Sequence, residues 1–312
     1  MFPPFLERLP LSRGGLDRDY LARDEEGLLA RLRSEPGTRY LPIFRDEVLL
    51  ETGGPVRLRL LPSATAPAGL ELYLGRLVTS RGDDAAGTRI VAVVLDEEAR
   101  TLLAPAEQWV SLRTLAHELD AVDASAATEA IALANWHASH THSPRSGAAV
   151  EVEKAGWVLR DSEERHELFP RTDAAIIVGI TDADDRLLLG SNAMWASNRY
   201  SLLAGFVEPG ESLEEAVIRE VFEESGVRVK DPVYLGSQPW PFPASLMMGF
   251  RATVDGATAE LAPDGTEILD LRWFSRDELR DALDEILLPG PTSIARTIIE
   301  EWYGGPLESG QW

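Results

Sequence analysis

The chain has 312 residues, a length that corresponds to about two domains of roughly 150 residues each. Its 44% hydrophobic and 26% charged residues are typical of a globular protein. The 52 acidic residues outnumber the 30 lysines and arginines, and the net charge of −22 argues against broad, sequence-independent binding of nucleic acid.

The chain contains no cysteine, which excludes disulfides and cysteine-ligated zinc. No secretory signal pattern opens the sequence, and no apolar run approaches the ~20 residues of a membrane span. We therefore expect a cytoplasmic protein that does not associate with membranes.

Residues 1–125 are expected to form an amino-terminal mixed α/β domain. A helix is predicted near residues 18–33. Four short apolar runs, separated by turn residues, then predict the strands of an antiparallel sheet. These runs are 40–44, 56–61, 70–74 and 89–94.

Residues 126–170 form the expected linker segment, and residues 171–312 the carboxy-terminal domain. An alanine-rich helix over 124–140 leads into the linker. The last segment alternates strand and helix patterns, which favours a mixed sheet with helices on its faces, and the whole chain is expected to be of the α+β class. Its predicted strands are 174–180, 186–189, 233–235, 246–254 and 270–274, with helices at 275–285 and 292–303.

An acidic helix is predicted between Ser212, a good N-cap, and Gly226, which suits the position after a helix end. Glu220, Glu223 and Glu224 are spaced i, i+3 and i+4, so their carboxylates share one helix face. Like charges this close require water or a cation, and a carboxylate triad after a glycine-rich loop suits Mg²⁺. The alternative for such a helix is a solvated acidic surface.

The string around this helix resembles the Nudix box at each of its fixed positions. The resemblance implies an α/β/α sandwich that binds divalent metal and hydrolyses a diphosphate linked to a nucleoside. The matching residues are Gly205, Glu211, Arg219-Glu220-Val221, Glu223-Glu224 and Gly226-Val227.

A second string, SQPWPFPASLM at 237–247, follows ten residues after the box. Three prolines around two aromatic residues predict a rigid, exposed aromatic loop outside any central strand. By composition alone, a structural edge loop is the alternative. As a string, it resembles the signature of the NAD(H) pyrophosphatases, and the resemblance continues through Trp136-His137, Gly156-Trp157 and residues 169–173.

That family resemblance implies hydrolysis of NAD(H) to nicotinamide mononucleotide and AMP with Mg²⁺ or Mn²⁺ as cofactor. Arg219 is expected to pair with a box glutamate and orient it. The general base stays open between Glu223, Glu224 and Glu267. The implied metal ligands are the carbonyl of Ala204 and the side chains of Glu220, Glu223, Glu224 and Glu267.

The resemblance also implies a homodimer and substrate contacts in several segments. Some members of the family remove the NAD cap from RNA 5′ ends, so NAD-capped RNA is a second expected substrate. The implied substrate-binding residues are Gln238, Pro239, Trp240, Pro241, Phe242, Pro243, Ala244, Ser245, Phe206, Phe169, Ala295 and Arg113.

Family members commonly carry a four-cysteine zinc ribbon in the linker segment. Here those four positions are Ser143, Ser146, Asp161 and Glu164. Two hydroxyls and two carboxylates make a poor structural zinc site, so a ribbon-like segment without zinc is expected. We expect Arg145, Arg160 or Arg165 to pair with the two carboxylates.

Two other functions fit the sequence. A different Nudix specificity, for ADP-ribose or a dinucleoside polyphosphate, would leave the box intact and make the second string incidental. A non-catalytic nucleotide-sensing module is disfavoured, because such a module has no need of the full set of box carboxylates.

Overall fold

The chain folds as two units, and the computed structural model describes residues 3–256 and 260–308. The amino-terminal unit comprises Arg13–Thr172 together with Trp240–Ala244. The carboxy-terminal unit comprises the described residues up to Ser12, Asp173–Pro239 and the described residues from Ser245 onward.

The amino-terminal unit is a mixed sheet with helices. Its described strands pair in the order β1-β5-β6-β2-β3-β7, with β4 on β2, and β8, β9 and β10 form a separate small sheet. Its strands are β1 (Leu16–Asp17), β2 (Arg39–Phe44), β3 (Glu47–Leu49), β4 (Leu61–Pro62), β5 (Leu70–Leu77), β6 (Arg89–Val94), β7 (Trp109–Ser111), β8 (Val150–Glu153), β9 (Val158–Asp161) and β10 (Glu167–Leu168). Its helices are α1 (Leu28–Ser34), α2 (Glu97–Leu103), α3 (Leu112–Leu115) and α4 (Ala121–Ser139).

Two expectations for the strands of this unit differ from the structure. The sheet is not antiparallel throughout, because β2 and β6 run parallel. The predicted strand at 56–61 is only partly present: Leu58 forms an isolated antiparallel bridge with Leu50, and β4 begins at Leu61. The Leu58 N–H donates to the Asp123 carboxylate at 2.9 Å, and its carbonyl accepts from Arg81, so side chains occupy the backbone groups that a strand on the other side would use.

The predicted helix at 18–33 is broken in two. A 3-10 turn covers Tyr20–Asp24, and α1 begins only at Leu28. Gly27 between them has a φ of +72°, which lies in the left-handed region that interrupts a right-handed helix.

The linker segment is organised around the buried carboxylate of Asp161. One of its oxygens accepts the N–H groups of Glu163 and Glu164, each at 2.8 Å, and the other accepts the Ser146 hydroxyl. Hydrogen bonds from Ser146 and Ser143 hold the pKa of Asp161 well below its ordinary range. The expected arginine pairing is therefore wrong for Asp161, which is held by hydroxyls and backbone N–H groups.

Glu164, in contrast, pairs with an arginine as expected. Its carboxylate lies 3.3 Å from Arg145, while Arg160 and Arg165 pair with other glutamates. The pair is solvent-exposed at both ends, so it contributes little stability.

Helix α4 carries a buried carboxylate, Glu129, that is 4% exposed. Within the described residues, neither of its oxygens has a hydrogen-bond partner, and the nearest cation is the Arg18 guanidinium at 3.3 Å. Burial raises the pKa of Glu129 to about 7, against the opposing charges of Arg18 and Arg23.

We expect Glu129→Gln to be more stable than wild type at pH 9 and about equal to it at pH 4, below the ordinary pKa of 4.5. A carboxyl whose pKa is raised on folding stabilises the fold while it is protonated, and that contribution is lost as the pH rises through about 7. The difference can reach about 3 kcal/mol, and denaturant unfolding at the two pH values measures it. The exposed Glu98→Gln on α2 is the control. Parallel pH profiles for wild type and Glu129→Gln would contradict the expectation.

The carboxy-terminal unit is a mixed sheet flanked by helices, as the sequence predicted. Its described strands pair in the order β14-β15-β11-β12-β16, with β13 on β11, and β11 and β15 run parallel from Asp173↔Ser245 to Thr181↔Thr253. Its strands are β11 (Asp173–Thr181), β12 (Leu187–Asn192), β13 (Leu203–Phe206), β14 (Val229–Trp240), β15 (Ser245–Val254) and β16 (Ile268–Phe274). Its helices are α5 (Leu213–Ser225), α6 (Arg276–Ala282) and α7 (Ile294–Tyr303).

Two hydrophobic clusters form the core of this unit. One contains Val178, Val217 and Phe250 and covers the side of the sheet against which α5 packs. The other contains Ile177, Ile298 and Leu9, so it joins α7 and the start of the chain to the sheet. No helix among the described residues is long and apolar enough to cross a membrane.

Candidate metal and nucleotide site

The acidic helix predicted from the sequence is α5. The Ser212 hydroxyl accepts the N–H of Glu215 at 3.1 Å, and Gly226 ends the helix with a φ of +71°. Ala216, Val217 and Val221 are buried against the sheet. This anchoring fixes which face of α5 carries the remaining glutamates.

Strand β13 passes directly beneath one of these glutamates. Gly205 pairs with Ile176 of β11, and a β-carbon built on Gly205 would overlap the Glu220 carboxylate. Glycine therefore leaves room for the Glu220 carboxylate here, and a larger residue would have to displace that flexible side chain.

Glu224 is the most deeply buried carboxylate of the helix, and its Oε2 has no hydrogen-bond partner within the described residues. Burial raises the pKa of Glu224 to about 8, and the negative charges of Glu220, Glu267 and Asp264 add to the increase. A hydrogen bond from the backbone of Ala204 acts in the opposite direction. The surroundings of Glu224 thus disfavour a further negative charge unless a cation is present.

Arg219 links the box loop to the helix. Its guanidinium makes a two-point contact with Glu211 at 2.7 and 2.9 Å, and it lies 2.9 Å from Glu220 and 3.0 Å from Glu223. A further N–H donates to the carbonyl of Phe206 at 3.0 Å. The expected pairing of Arg219 with a box glutamate is present in the structure, and its two-point contact is with Glu211, itself a box residue.

The electrostatics follow from these pairs. The Arg219 hydrogen bonds lower the pKa of Glu211 to about 2, so Glu211 stays ionised. Burial raises the pKa of Glu220 despite its contact with Arg219. Glu223 remains exposed, so the three glutamates of one helix face occupy three different environments.

The loop before β16 brings two more carboxylates towards the helix. Asp264 accepts the N–H groups of Thr266 at 3.2 Å, Glu267 at 3.1 Å and Ile268 at 2.8 Å. These backbone bonds, of which that from Ile268 is the strongest, lower the pKa of Asp264. Sequence reasoning missed Asp264, although an Asp before a glycine turn that bonds backbone N–H groups ahead of it is a known turn signal.

These residues fit a hard divalent cation. Every side chain that raises the pKa of Glu224 is a carboxylate, and oxygen ligands are those that Mg²⁺ and Mn²⁺ prefer. Yet among residues 3–256 and 260–308, no three acidic or histidine side chains converge closely enough to hold an ion as they stand. In this arrangement Glu220 and Glu223 both lie against the Arg219 guanidinium.

The expected aromatic loop is instead the end of a β-hairpin. Strand β14 continues to Trp240, a turn covers residues 241–244, and β15 begins at Ser245. Pro241 is buried. Pro239 is tolerated in β14 because that strand lies at the edge of its described sheet, and Pro241 and Pro243 lie in the turn.

The turn belongs to the amino-terminal unit, where its two rings meet edge to face at 5.0 Å between centroids. The guanidinium of Arg113 lies 5.5 Å from the centre of the Trp240 ring and 4.7 Å from that of Phe242. Asn135 donates to the carbonyl of Pro241 at 2.7 Å. The structure therefore places Arg113 beside the predicted loop, and it adds Asn135, which no sequence pattern had singled out.

The other expected substrate residues differ in exposure. Phe206 in the carboxy-terminal unit and Phe169 in the amino-terminal unit are both exposed. Ala295 is buried, and its N–H donates to the Ser293 hydroxyl. Gln238 is fully buried with both ends of its amide engaged.

Comparisons with known proteins match this arrangement. The model of the NUDIX domain matches residues 170–291, and that of the NADH pyrophosphatase-like rudimentary NUDIX domain matches residues 37–136. The chain is 40% identical over 304 residues to proteins named NAD-capped RNA hydrolase NudC from Mycobacterium bovis and Mycobacterium tuberculosis, covering 94% of both chains. A protein of the same name from Klebsiella pneumoniae is 42% identical over 55% of this chain and 63% of its own length.

Among solved structures, a NUDIX hydrolase from Nitrosomonas europaea covers 55% of this chain and 98% of its own, with 20% identity and a TM-score of 0.43. The box on α5, the mixed sheet that supports it and the matched domain model define a Nudix hydrolase. Within that class, the chain belongs to the NADH pyrophosphatase family that includes the NAD-capped RNA hydrolases NudC.

Proposed function

We propose that this enzyme hydrolyses the diphosphate bond of NAD(H), giving nicotinamide mononucleotide and AMP. The observation that carries the proposal is the 40% identity to NAD-capped RNA hydrolases over 94% of both chains. The intact box carboxylates and the SQPWPFP hairpin support it.

Glu220, Glu223, Glu224 and Glu267, with the carbonyl of Ala204, would hold the divalent cations. Nudix hydrolases act with divalent metals, and we propose Mg²⁺ or Mn²⁺ here because the donors are all oxygen. Such cations, when bound, neutralise phosphate charge and lower the pKa of water.

The protein side chains would position the metal ligands and take the proton of the attacking water. Arg219 positions Glu220 and Glu223 through its ion pairs, with Glu211 as the fixed partner that holds the guanidinium. Glu223, Glu224 and Glu267 are the candidates for the general base that takes the proton of the attacking water.

Recognition of the dinucleotide is assigned to the hairpin Gln238–Ser245, called here the recognition hairpin, together with Arg113. The partly exposed rings of Trp240 and Phe242 offer surfaces on which a base can stack. Exposed Phe206 and Phe169 are further stacking candidates, and Ala295 is a candidate backbone contact.

Removal of NAD caps from RNA is a second activity of the same site, since it breaks the same bond with a larger leaving group. The names of the 40% identical relatives favour it. We further propose that the chain forms a homodimer and acts in the cytoplasm.

A substrate panel tests the proposal. Purified protein is incubated in Mg²⁺ or Mn²⁺ with NADH, NAD⁺, ADP-ribose, a dinucleoside polyphosphate and NAD-capped RNA. We expect NADH or NAD⁺ and the capped RNA to be cleaved with the highest kcat/KM. A clear preference for ADP-ribose or the dinucleoside polyphosphate would show that NAD(H) is not the main substrate. No turnover of any compound would favour the alternative of a non-catalytic nucleotide-sensing module.

We also propose that the linker ribbon holds no zinc. Ser143 and Ser146 offer hydroxyls in place of thiolates, and the oxygens of Asp161 are already occupied by hydrogen bonds. We expect Asp161→Asn to make this segment sensitive to limited proteolysis, because an amide oxygen and N–H₂ group cannot accept bonds on both sides. One equivalent of zinc by elemental analysis, lost in Asp161→Asn, would contradict the proposal.

A further inference from the structure

The segment before Ser12 is part of the core of the carboxy-terminal unit, although about 160 residues of the other unit separate it from β11 in sequence. Leu9 is fully buried in the cluster that contains Ile177 and Ile298. Phe5 packs against the same cluster. The segment Pro3–Ser12 therefore has a fixed place beside the sheet, and we call it the amino-terminal brace.

The brace lies against β14 just before the recognition hairpin. A β-carbon on Gly236 would lie 2.6 Å from Leu6 and 3.2 Å from Phe5, so β14 and the brace are in direct contact there. One residue further on, the Ser12 hydroxyl donates to the carbonyl of Ser237 at 2.6 Å. The last residues of β14 are thus held from outside the sheet by the brace.

Gln238 completes this contact from the hairpin side. Its Oε1 accepts the N–H of Leu11 at 3.4 Å, and its Nε2 donates to the carbonyl of Thr292 at 2.9 Å. The partner at Leu11 is a backbone N–H, which can only donate, and the partner at Thr292 is a backbone carbonyl, which can only accept. These two groups therefore fix the orientation of the Gln238 amide. The side chain is 0% exposed, so no surface of it is left for a ligand.

We propose that Gln238 is a positioning residue of the recognition hairpin, acting through the amino-terminal brace and the turn before α7, and does not itself contact the dinucleotide. This proposal rests on the proposed function for the identity of the ligand that the hairpin binds. Independently of the ligand, it states that the hairpin is held in place before any substrate binds.

Amide hydrogen exchange in the substrate-free protein tests this content directly. We expect Gln238→Met to raise exchange in peptides covering residues 237–247 by about tenfold or more, because a local opening becomes easier when Leu11 and Thr292 lose their partner. Ser12→Ala should raise it in the same peptides, and Ser12→Thr, which keeps the hydroxyl, should restore it. The exposed Ser80→Ala in the other unit is the matched control.

Kinetics supply the second measurement. Positioning predicts that Gln238→Met and Ser12→Ala both raise the KM for NADH, with kcat within about threefold and the Mn²⁺ concentration for half-maximal activity unchanged. Ser12 serves as the independent variant if Gln238→Met does not fold.

The two failures are distinguishable. Unchanged exchange in both variants, with a raised KM in Gln238→Met alone, would show a direct ligand contact and overturn the inference. Raised exchange in both variants, together with a wild-type protein that does not cleave NADH, would support the positioning role of Gln238 and overturn only the proposed function.

Discussion

Glu224→Gln is expected to lower kcat/KM by about 10³-fold while making the metal-free protein more stable. The substitution removes one ligand of the proposed cation site. It also removes a buried carboxylate whose Oε2 has no partner in the described structure and whose neighbours Glu220, Glu267 and Asp264 carry the same charge. Loss of activity together with a gain in stability is characteristic of a residue kept for function.

Three measurements check this prediction: steady-state kinetics, Mn²⁺ titration calorimetry and thermal unfolding in the presence of a chelator. Glu214→Gln is the matched control, since Glu214 is exposed in the first turn of the same helix. Activity within tenfold of wild type and unchanged Mn²⁺ affinity in Glu224→Gln would contradict the site assignment.

Gly205→Ala is expected to lower kcat by about 10²-fold with little loss of stability. The added β-carbon would overlap the Glu220 carboxylate, which is the free end of a flexible side chain. The protein can therefore still fold by moving that side chain, but Glu220 can then no longer take its place at the metal site. Misplacement of a catalytic group by about 1 Å is enough for a loss of this size.

Thermal unfolding and kinetics of the same preparation separate the two effects. Gly37→Ala is the control, because nothing lies within 4 Å of a β-carbon at that position. Full activity in Gly205→Ala would mean that Glu220 is not needed where the structure places it. A large loss of stability would instead point to backbone strain in β13.

The sequence predicted the parts of the site that depend on local spacing. The helix at α5, its cap at Ser212 and its end at Gly226 all follow from a pattern within fifteen residues, and the structure confirms them. The glutamate positions follow from the helical period. Local spacing could not show that Arg219 binds Glu211 at two points, because that contact depends on how the loop folds back onto the helix.

Contacts between distant segments could not be predicted from local patterns. The segment around Leu58 has the alternation of a strand, but Asp123 and Arg81 bind the backbone N–H and carbonyl of Leu58 itself. The family signature predicts that the amide of Gln238 contacts the ligand, and no local pattern indicates that this side chain is buried. Its burial depends on Leu11, which lies 227 residues earlier in the chain.

The partners of the buried carboxylate in the linker segment could not be predicted from the sequence either. The absence of cysteine predicted that no thiolate site could form, and charge suggested that arginines would balance Asp161. The structure uses the Ser146 hydroxyl and two backbone N–H groups for Asp161, and an arginine only for Glu164. Which donor reaches a buried carboxylate is decided by turn geometry, which composition does not specify.

The identity of the cleaved bond tests the central claim most directly. NADH is incubated with the wild-type enzyme and with Glu224→Gln in Mg²⁺, and the products are identified and quantified by mass spectrometry. We expect equal amounts of reduced nicotinamide mononucleotide and AMP from the wild type, and about 10³-fold less of both from the variant over the same time. Release of nicotinamide with an intact diphosphate, or equal product formation by both proteins, would contradict a diphosphate hydrolase built on the carboxylates of α5.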